Sequence, residues 1–66
     1  MRKAYLETSP ITDEENCYIL VVTGGYLDIE GEVTERDWLA REFSYNEFGK
    51  QEARDFARKY GYEPNF

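Results

Sequence analysis

The sequence predicts a small α+β fold, an antiparallel sheet of three to four strands packed against one C-terminal helix. Three stretches carry this expectation. Residues 17–23, CYILVVT, form a β-branched and aromatic run closed by Gly24-Gly25. Residues 2–8, RKAYLET, alternate small, aromatic and charged side chains, and residues 50–60 repeat apolar side chains at helical spacing.

The elements follow in order. The first strand, over residues 2–8, ends where SPITDEEN brings in turn-forming residues. In the second strand Tyr18, Leu20 and Val22 face one way and Cys17, Ile19 and Val21 the other. A strand apolar on both faces suits the centre of a sheet, covered by a helix on one side. Gly24-Gly25 can take the positive φ of a tight hairpin turn, which returns the chain along residues 26–30 as a short strand. Residues 34–43, TERDWLAREF, fit two descriptions. As a helix, Thr34 and Asp37 outline a capping box whose last position ordinarily holds Glu or Gln, and Glu35, Arg36, Leu39 and Ala40 tolerate helix. As a strand, Leu39, Arg41 and Phe43 share one face and Trp38, Ala40 and Glu42 the other. The strand is preferred because FGKQEARDFARKYGYEP, beginning at residue 48, reads as a strand-ending aromatic, a Gly entry and an amphipathic helix from about 50 to 60. Ala53, Phe56, Ala57 and Tyr60 make its apolar stripe. Gly61 follows Arg58 and Lys59 as a C′ residue, and Pro64 prevents continuation.

A length of 66 residues supports one domain, 1–66, with one small core for which eleven aromatics are the main filling. The longest apolar run, CYILVV, is far too short to cross a membrane, and no apolar segment follows Met1-Arg2-Lys3. The expectation is a complete soluble chain with no membrane contact. Cys17 is the single cysteine, which excludes an intrachain disulfide and fits a reducing, cytoplasmic setting with the thiol buried as a small hydrophobe.

Catalytic chemistry finds few residues to use. The chain has no His, so Cys-His and Ser-His-Asp arrangements are excluded. Carboxylates are plentiful, but an acid–base pair needs an interior that raises one pKa, and a chain this short has little interior. Asp28-Ile29-Glu30-Gly31-Glu32 is rich in oxygen, yet an EF-hand loop needs Gly at its sixth position and Glu at its twelfth, whereas Gly31 is fourth and Leu39 twelfth. Gly24-Gly25 lacks the GK[ST] or GxxG of a phosphate-binding loop. No enzyme activity, cofactor or metal is expected.

Charge is the most informative property. The net charge is −6, unevenly spread. Residues 4–35 contain no Lys or Arg against Glu7, Asp13, Glu14, Glu15, Asp28, Glu30, Glu32 and Glu35, a local charge of −8. The remaining residues carry six acids and eight bases, a charge of +2. Such asymmetry bears on partners. On the helix, Lys50, Arg54 and Arg58 lie four residues apart and form a basic stripe.

The outline of three strands and a helix resembles the arm-binding domains of phage integrases and the plant AP2 domain, which read the major groove with the sheet. In those families the sheet is basic; here the strand-forming half is acidic and repels phosphate, so no direct nucleic-acid binding is expected. Asp28, Glu30 and Glu32 alternate, and on a strand they would stand about 6.6–6.8 Å apart, near two base-pair rises. Asp13, Glu14 and Glu15 extend the patch from the preceding loop, and Glu35 follows it. In size and acidity the chain resembles small phage-encoded inhibitors of host defence, including anti-CRISPR proteins and other DNA mimics. The charge pattern marks Asp13, Glu14, Glu15, Asp28, Glu30, Glu32 and Glu35 as the partner-binding surface, and the resemblance, which covers size and charge and carries over no family residues, implies a partner with the basic surface of a nucleic-acid-binding host complex. The chain would act as a monomer or homodimer. The alternatives are a nucleic-acid-binding or regulatory module using the basic helix face, and a structural subunit pairing through a strand edge.

Overall fold

The computed structural model describes residues 2–35 and 41–66. Among these the chain forms β1 (Lys3–Pro10), β2 (Asn16–Val22), β3 (Gly25–Leu27), β4 (Val33–Thr34), β5 (Glu42–Ser44), α1 (Glu47–Lys59) and β6 (Glu63–Pro64). The fold is α+β, with a multi-stranded sheet and one C-terminal helix. The sheet has six strands rather than the expected three to four, in the order β4-β3-β2-β1-β6, with β5 also paired to β2.

β2 is central, as its two apolar faces require. β1 runs antiparallel to it along its whole length, from Ala4 opposite Val22 to Pro10 opposite Asn16. On its other edge β3 pairs with Val21 and Val22, and β5 pairs with Cys17, Tyr18 and Ile19. The Arg41 N–H donates to the Leu27 carbonyl at 3.3 Å, joining these two short strands end to end. The extra strands β4 and β6 are two residues each. Pairs that short leave no periodicity to read in a sequence.

Three local expectations are corrected. The strand expected over residues 26–30 stops at Leu27; Asp28 keeps a single bridge, and its side chain accepts the main-chain N–H groups of the turn that follows. The β2–β3 turn takes its positive φ, +89°, at Gly24 alone, while Gly25 opens β3. The helix starts at Glu47, not near residue 50, because the Asn46 side chain accepts the Gly49 N–H at 2.8 Å and caps it there. The choice between helix and strand for residues 34–43 falls largely on residues 36–40, which lie outside the described residues. On either side, Thr34 belongs to β4 and Glu42–Phe43 to β5.

The helix C-terminus follows from its sequence. Gly61, at φ +83°, turns the chain, so that Tyr62 N–H reaches the Ala57 carbonyl at 2.9 Å and Gly61 N–H the Arg58 carbonyl at 3.1 Å. This is the Schellman pattern, and it drives buried Tyr62 under the helix end. The core lies between α1 and one sheet face: Ala4, Leu20, Val22, Leu27 and Phe43 meet Ala53, Phe56, Ala57 and Tyr62. Ala4, Ala53 and Ala57 are fully buried and let the helix lie close on β1 and β2. Leu20 and Leu27 are fully buried too, each contributing about 1.5–3 kcal/mol by removal from water. No helix among the described residues is long and apolar enough to cross a membrane.

Candidate protein-binding surface

The acids of residues 4–35 are placed by two turns and by the strand register. The first turn joins β1 to β2. There the Glu15 carbonyl accepts the N–H groups of Ile11 and Thr12, at 2.9 and 3.2 Å, and Thr12 Oγ1 accepts those of Glu14 and Glu15, at 3.3 and 3.1 Å. A Thr hydroxyl bonding the main chain two and three residues on is the reason TDEE turns here. Asp13, Glu14 and Glu15 are all exposed on this fixed tip.

The second turn holds Asp28, Glu30 and Glu32, and its geometry is a correction. These residues are not a strand row. Asp28 Oδ1 accepts the N–H groups of both Glu30 and Glu32 at 2.9 Å. Its own N–H donates to the Glu32 carbonyl and its carbonyl accepts the Gly31 N–H, each at 2.9 Å. Gly31 takes φ +84°, and a Cβ there would run into the Tyr60 ring, so glycine is required both by conformation and by contact with the end of α1. Half-buried Asp28 therefore organises the turn, while Glu30 and Glu32 project from it, exposed. The strand spacing that would imitate a phosphate row does not occur at these three residues. Glu35 is exposed just beyond β4.

The structure does not gather the seven acids into one row. The β1–β2 tip adjoins Asn16, whereas Asp28 follows Leu27, which the β3 register sets beside Leu20. Four strand residues separate those levels, about 13 Å. The Asp28 turn also leans on α1 through Tyr60, so the two clusters occupy different parts of the surface.

Two acids outside the seven expected at the surface lie between the clusters. On the sheet face opposite the helix, the register sets Glu7 on β1 and Glu42 on β5 on either side of Ile19. The neighbouring rows are Tyr5, Val21 and Tyr26, and Ser9, Cys17 and Ser44. Glu7 and Glu42 are exposed, while Ile19 is 6% and Cys17 3% exposed. Alternation along β1 and β5 shows which face each acid shares, but only the pairing register shows that they flank one residue. Burial pushes the Cys17 thiol above its ordinary value of 9.0, and the neighbouring Glu42 carboxylate pushes it further. A thiol held neutral is a poor nucleophile and a poor metal ligand.

Lys50 and Arg54 of the basic stripe are half-buried, and Arg58 is exposed. Lys50 lies 3.9 Å from Glu47 and sits over the Tyr18 ring at 5.8 Å. Arg54 Nε donates to the Phe66 carbonyl at 3.0 Å, and its guanidinium stacks 5.7 Å from the Phe66 ring. Arg58 lies 3.7 Å from Asp55. Arg41, just before β5, lies 5.3 Å from the rings of both Phe43 and Phe56. Both ion pairs among the described residues join neighbours on α1; no acid of residues 4–35 takes part in either. Among the described residues no cluster of three His, Cys, Asp or Glu side chains is arranged to hold a metal ion.

The chain matches no known family model, no curated protein and no solved structure, so its chemistry is read from its own residues alone.

Proposed function

We propose that this chain is a small acidic protein-binding inhibitor, of the kind encoded by phages and mobile elements, that blocks a nucleic-acid-binding host complex by occluding its DNA-binding surface, as anti-CRISPR proteins do. It acts by binding, without catalysis, cofactor or metal, in the cytoplasm. The observation that carries this reading is the unequal commitment of the charges. The cations Lys50, Arg54 and Arg58 engage helix acids, rings and the Phe66 carbonyl, whereas Glu7, Asp13, Glu14, Glu15, Glu30, Glu32 and Glu35 stand exposed outside both ion pairs of the described residues. Exposed, uncommitted carboxylates steer a basic partner at long range and are available for ion contacts when it arrives. With Asp28 holding its turn, the contact surface comprises the tip acids, the Glu30–Glu32 turn and Glu35, with Glu7 and Glu42 added. The alternative module, which uses the basic helix face on nucleic acid, would draw on cations that already share contacts with helix acids, rings and the Phe66 carbonyl.

Capture from a bacterial lysate on the immobilised chain, with mass spectrometry of the eluate, tests the reading. Enrichment of a nuclease, a CRISPR complex or a polymerase, lost when Asp13, Glu14 and Glu15 become Asn, Gln and Gln, is expected. Recovery of DNA or RNA in place of a basic protein would overturn it.

A further inference from the structure

We propose that the free edge of β1, from Leu6 to Pro10, docks an extended basic segment of the partner, which adds to the sheet as a further strand; this rests on the reading that the partner is basic. β1 runs from Lys3 to Pro10, but β6 pairs only with Lys3 and Ala4. Beyond Ala4, no strand among the described residues pairs with that edge.

The hydrogen-bonding groups on the edge follow from the ladder. Asn65 N–H donates to the Ala4 carbonyl at 2.8 Å and Glu63 N–H to the Arg2 carbonyl at 2.7 Å, so the even-numbered residues of β1 aim their main chain away from β2. In an antiparallel pair a residue bonds its partner with both main-chain groups or with neither. Leu6 and Thr8 therefore each present an N–H and a C=O outward. Pro10 also points outward, where its missing N–H breaks no ladder bond, the position in which a strand tolerates proline.

Charge selects the occupant. A strand paired with Leu6 and Thr8 sets one side chain beside Glu7, on the face opposite the helix, and continues toward the exposed tip at Asp13, Glu14 and Glu15. Lys or Arg at those points makes cross-strand ion pairs; Asp or Glu repels. A second copy of this chain fits poorly. The antiparallel registers available to two β1 edges set Glu7 against Glu7, or Pro10 against Leu6 or Thr8, or run the added strand into β6. Main-chain bonds supply affinity in such strand addition, and side chains supply selection.

The test titrates the 15N-labelled chain with an acetylated, amidated octapeptide alternating lysine and threonine, with a glutamate–threonine peptide as control. Saturable binding is expected, with shifts at the Leu6 and Thr8 amides and exchange there slowed about fivefold or more. Thr8→Pro removes an edge-facing N–H without touching the β2 ladder and should weaken binding about tenfold, whereas Thr8→Val binds normally. If Thr8→Pro fails to fold, Glu7→Lys serves in its place: it keeps every main-chain group and should weaken binding about fivefold. No saturable binding of the lysine peptide, or equal binding of the glutamate peptide, overturns the proposal. If the peptide is weakened by neutralising Asp13, Glu14 and Glu15 but not by Thr8→Pro, the edge is refuted while the acidic reading stands. Failure of the acidic reading itself shows separately, in the lysate capture.

Discussion

Replacing Asp28 by Ala is expected to destabilise the fold by about 1–2 kcal/mol, and replacing it by Asn by only a few tenths. The difference follows from what Oδ1 does: it accepts two N–H groups, of Glu30 and Glu32, both at 2.9 Å. A hydrogen bond to a charged acceptor contributes about 1.5–3 kcal/mol when the freed partner stays dry. Here Glu30 and Glu32 are exposed and their amides rehydrate, so each bond is discounted toward the capping range of about 0.5–2 kcal/mol for the whole side chain. Asn keeps the accepting oxygen and loses only the charge. Thermal unfolding followed by circular dichroism reads the effect as about 4–8 °C per kcal/mol in a domain this small. Alanine with an unchanged Tm, or asparagine as damaging as alanine, would refute the assignment of Asp28 to the turn and return it to the candidate contact surface.

Other outcomes follow from the same packing and charges. Phe56→Ala removes a ring in contact with Phe43 at 5.8 Å and Tyr60 at 4.8 Å, and should cost about 3–5 kcal/mol, a large share of the roughly 3–10 kcal/mol expected of a domain this size. Unchanged urea unfolding of that variant would contradict the packing of α1 on the sheet. Cys17 should alkylate slowly with iodoacetamide at neutral pH and rapidly in urea; equal rates would show that the thiol is not buried. Because the folded state holds the Cys17 proton more tightly than the unfolded chain, its contribution to stability is complete below the ordinary thiol range and declines as pH rises through and above it; Cys17→Ala should lack that decline. The chain should not shift duplex DNA or RNA at about 150 mM salt, and micromolar binding there would promote the helix stripe over the acids.

How much was legible in the sequence depended on the length of each signal. β2 and α1 each carry a run whose period exceeds the noise of single residues, and both appear within three residues of the expected bounds. The Gly61 stop was legible because a positive φ at C′ demands glycine. The start of α1 was misplaced because Gly49 resembles an entry residue, while the capping oxygen belongs to Asn46, three residues earlier. β4 and β6 were invisible, since their pairing is set by tertiary contact rather than by pattern. At the candidate surface, composition located the acids but not their geometry. Alternation at Asp28, Glu30 and Glu32 has the period of a strand, and also of an Asx turn in which one carboxylate bonds the residues two and four ahead. The roles of Glu7 and Glu42 needed the register of β1, β2 and β5, which no stretch of one strand encodes.

On the proposed reading, recognition runs through the exposed acids and not through the helix cations. Its most direct test is the affinity, at low and moderate salt, of two variants for the captured partner: Asp13→Asn with Glu14→Gln, Glu15→Gln, Glu30→Gln and Glu32→Gln, against Lys50→Gln with Arg54→Gln and Arg58→Gln. The acidic variant should fold normally, bind about tenfold or more weakly through slower association, and show a flatter salt dependence, while the basic variant binds nearly as the parent does. If the acidic variant binds like the parent and the basic variant fails, the carboxylates are only a solvated face and the helix cations carry recognition.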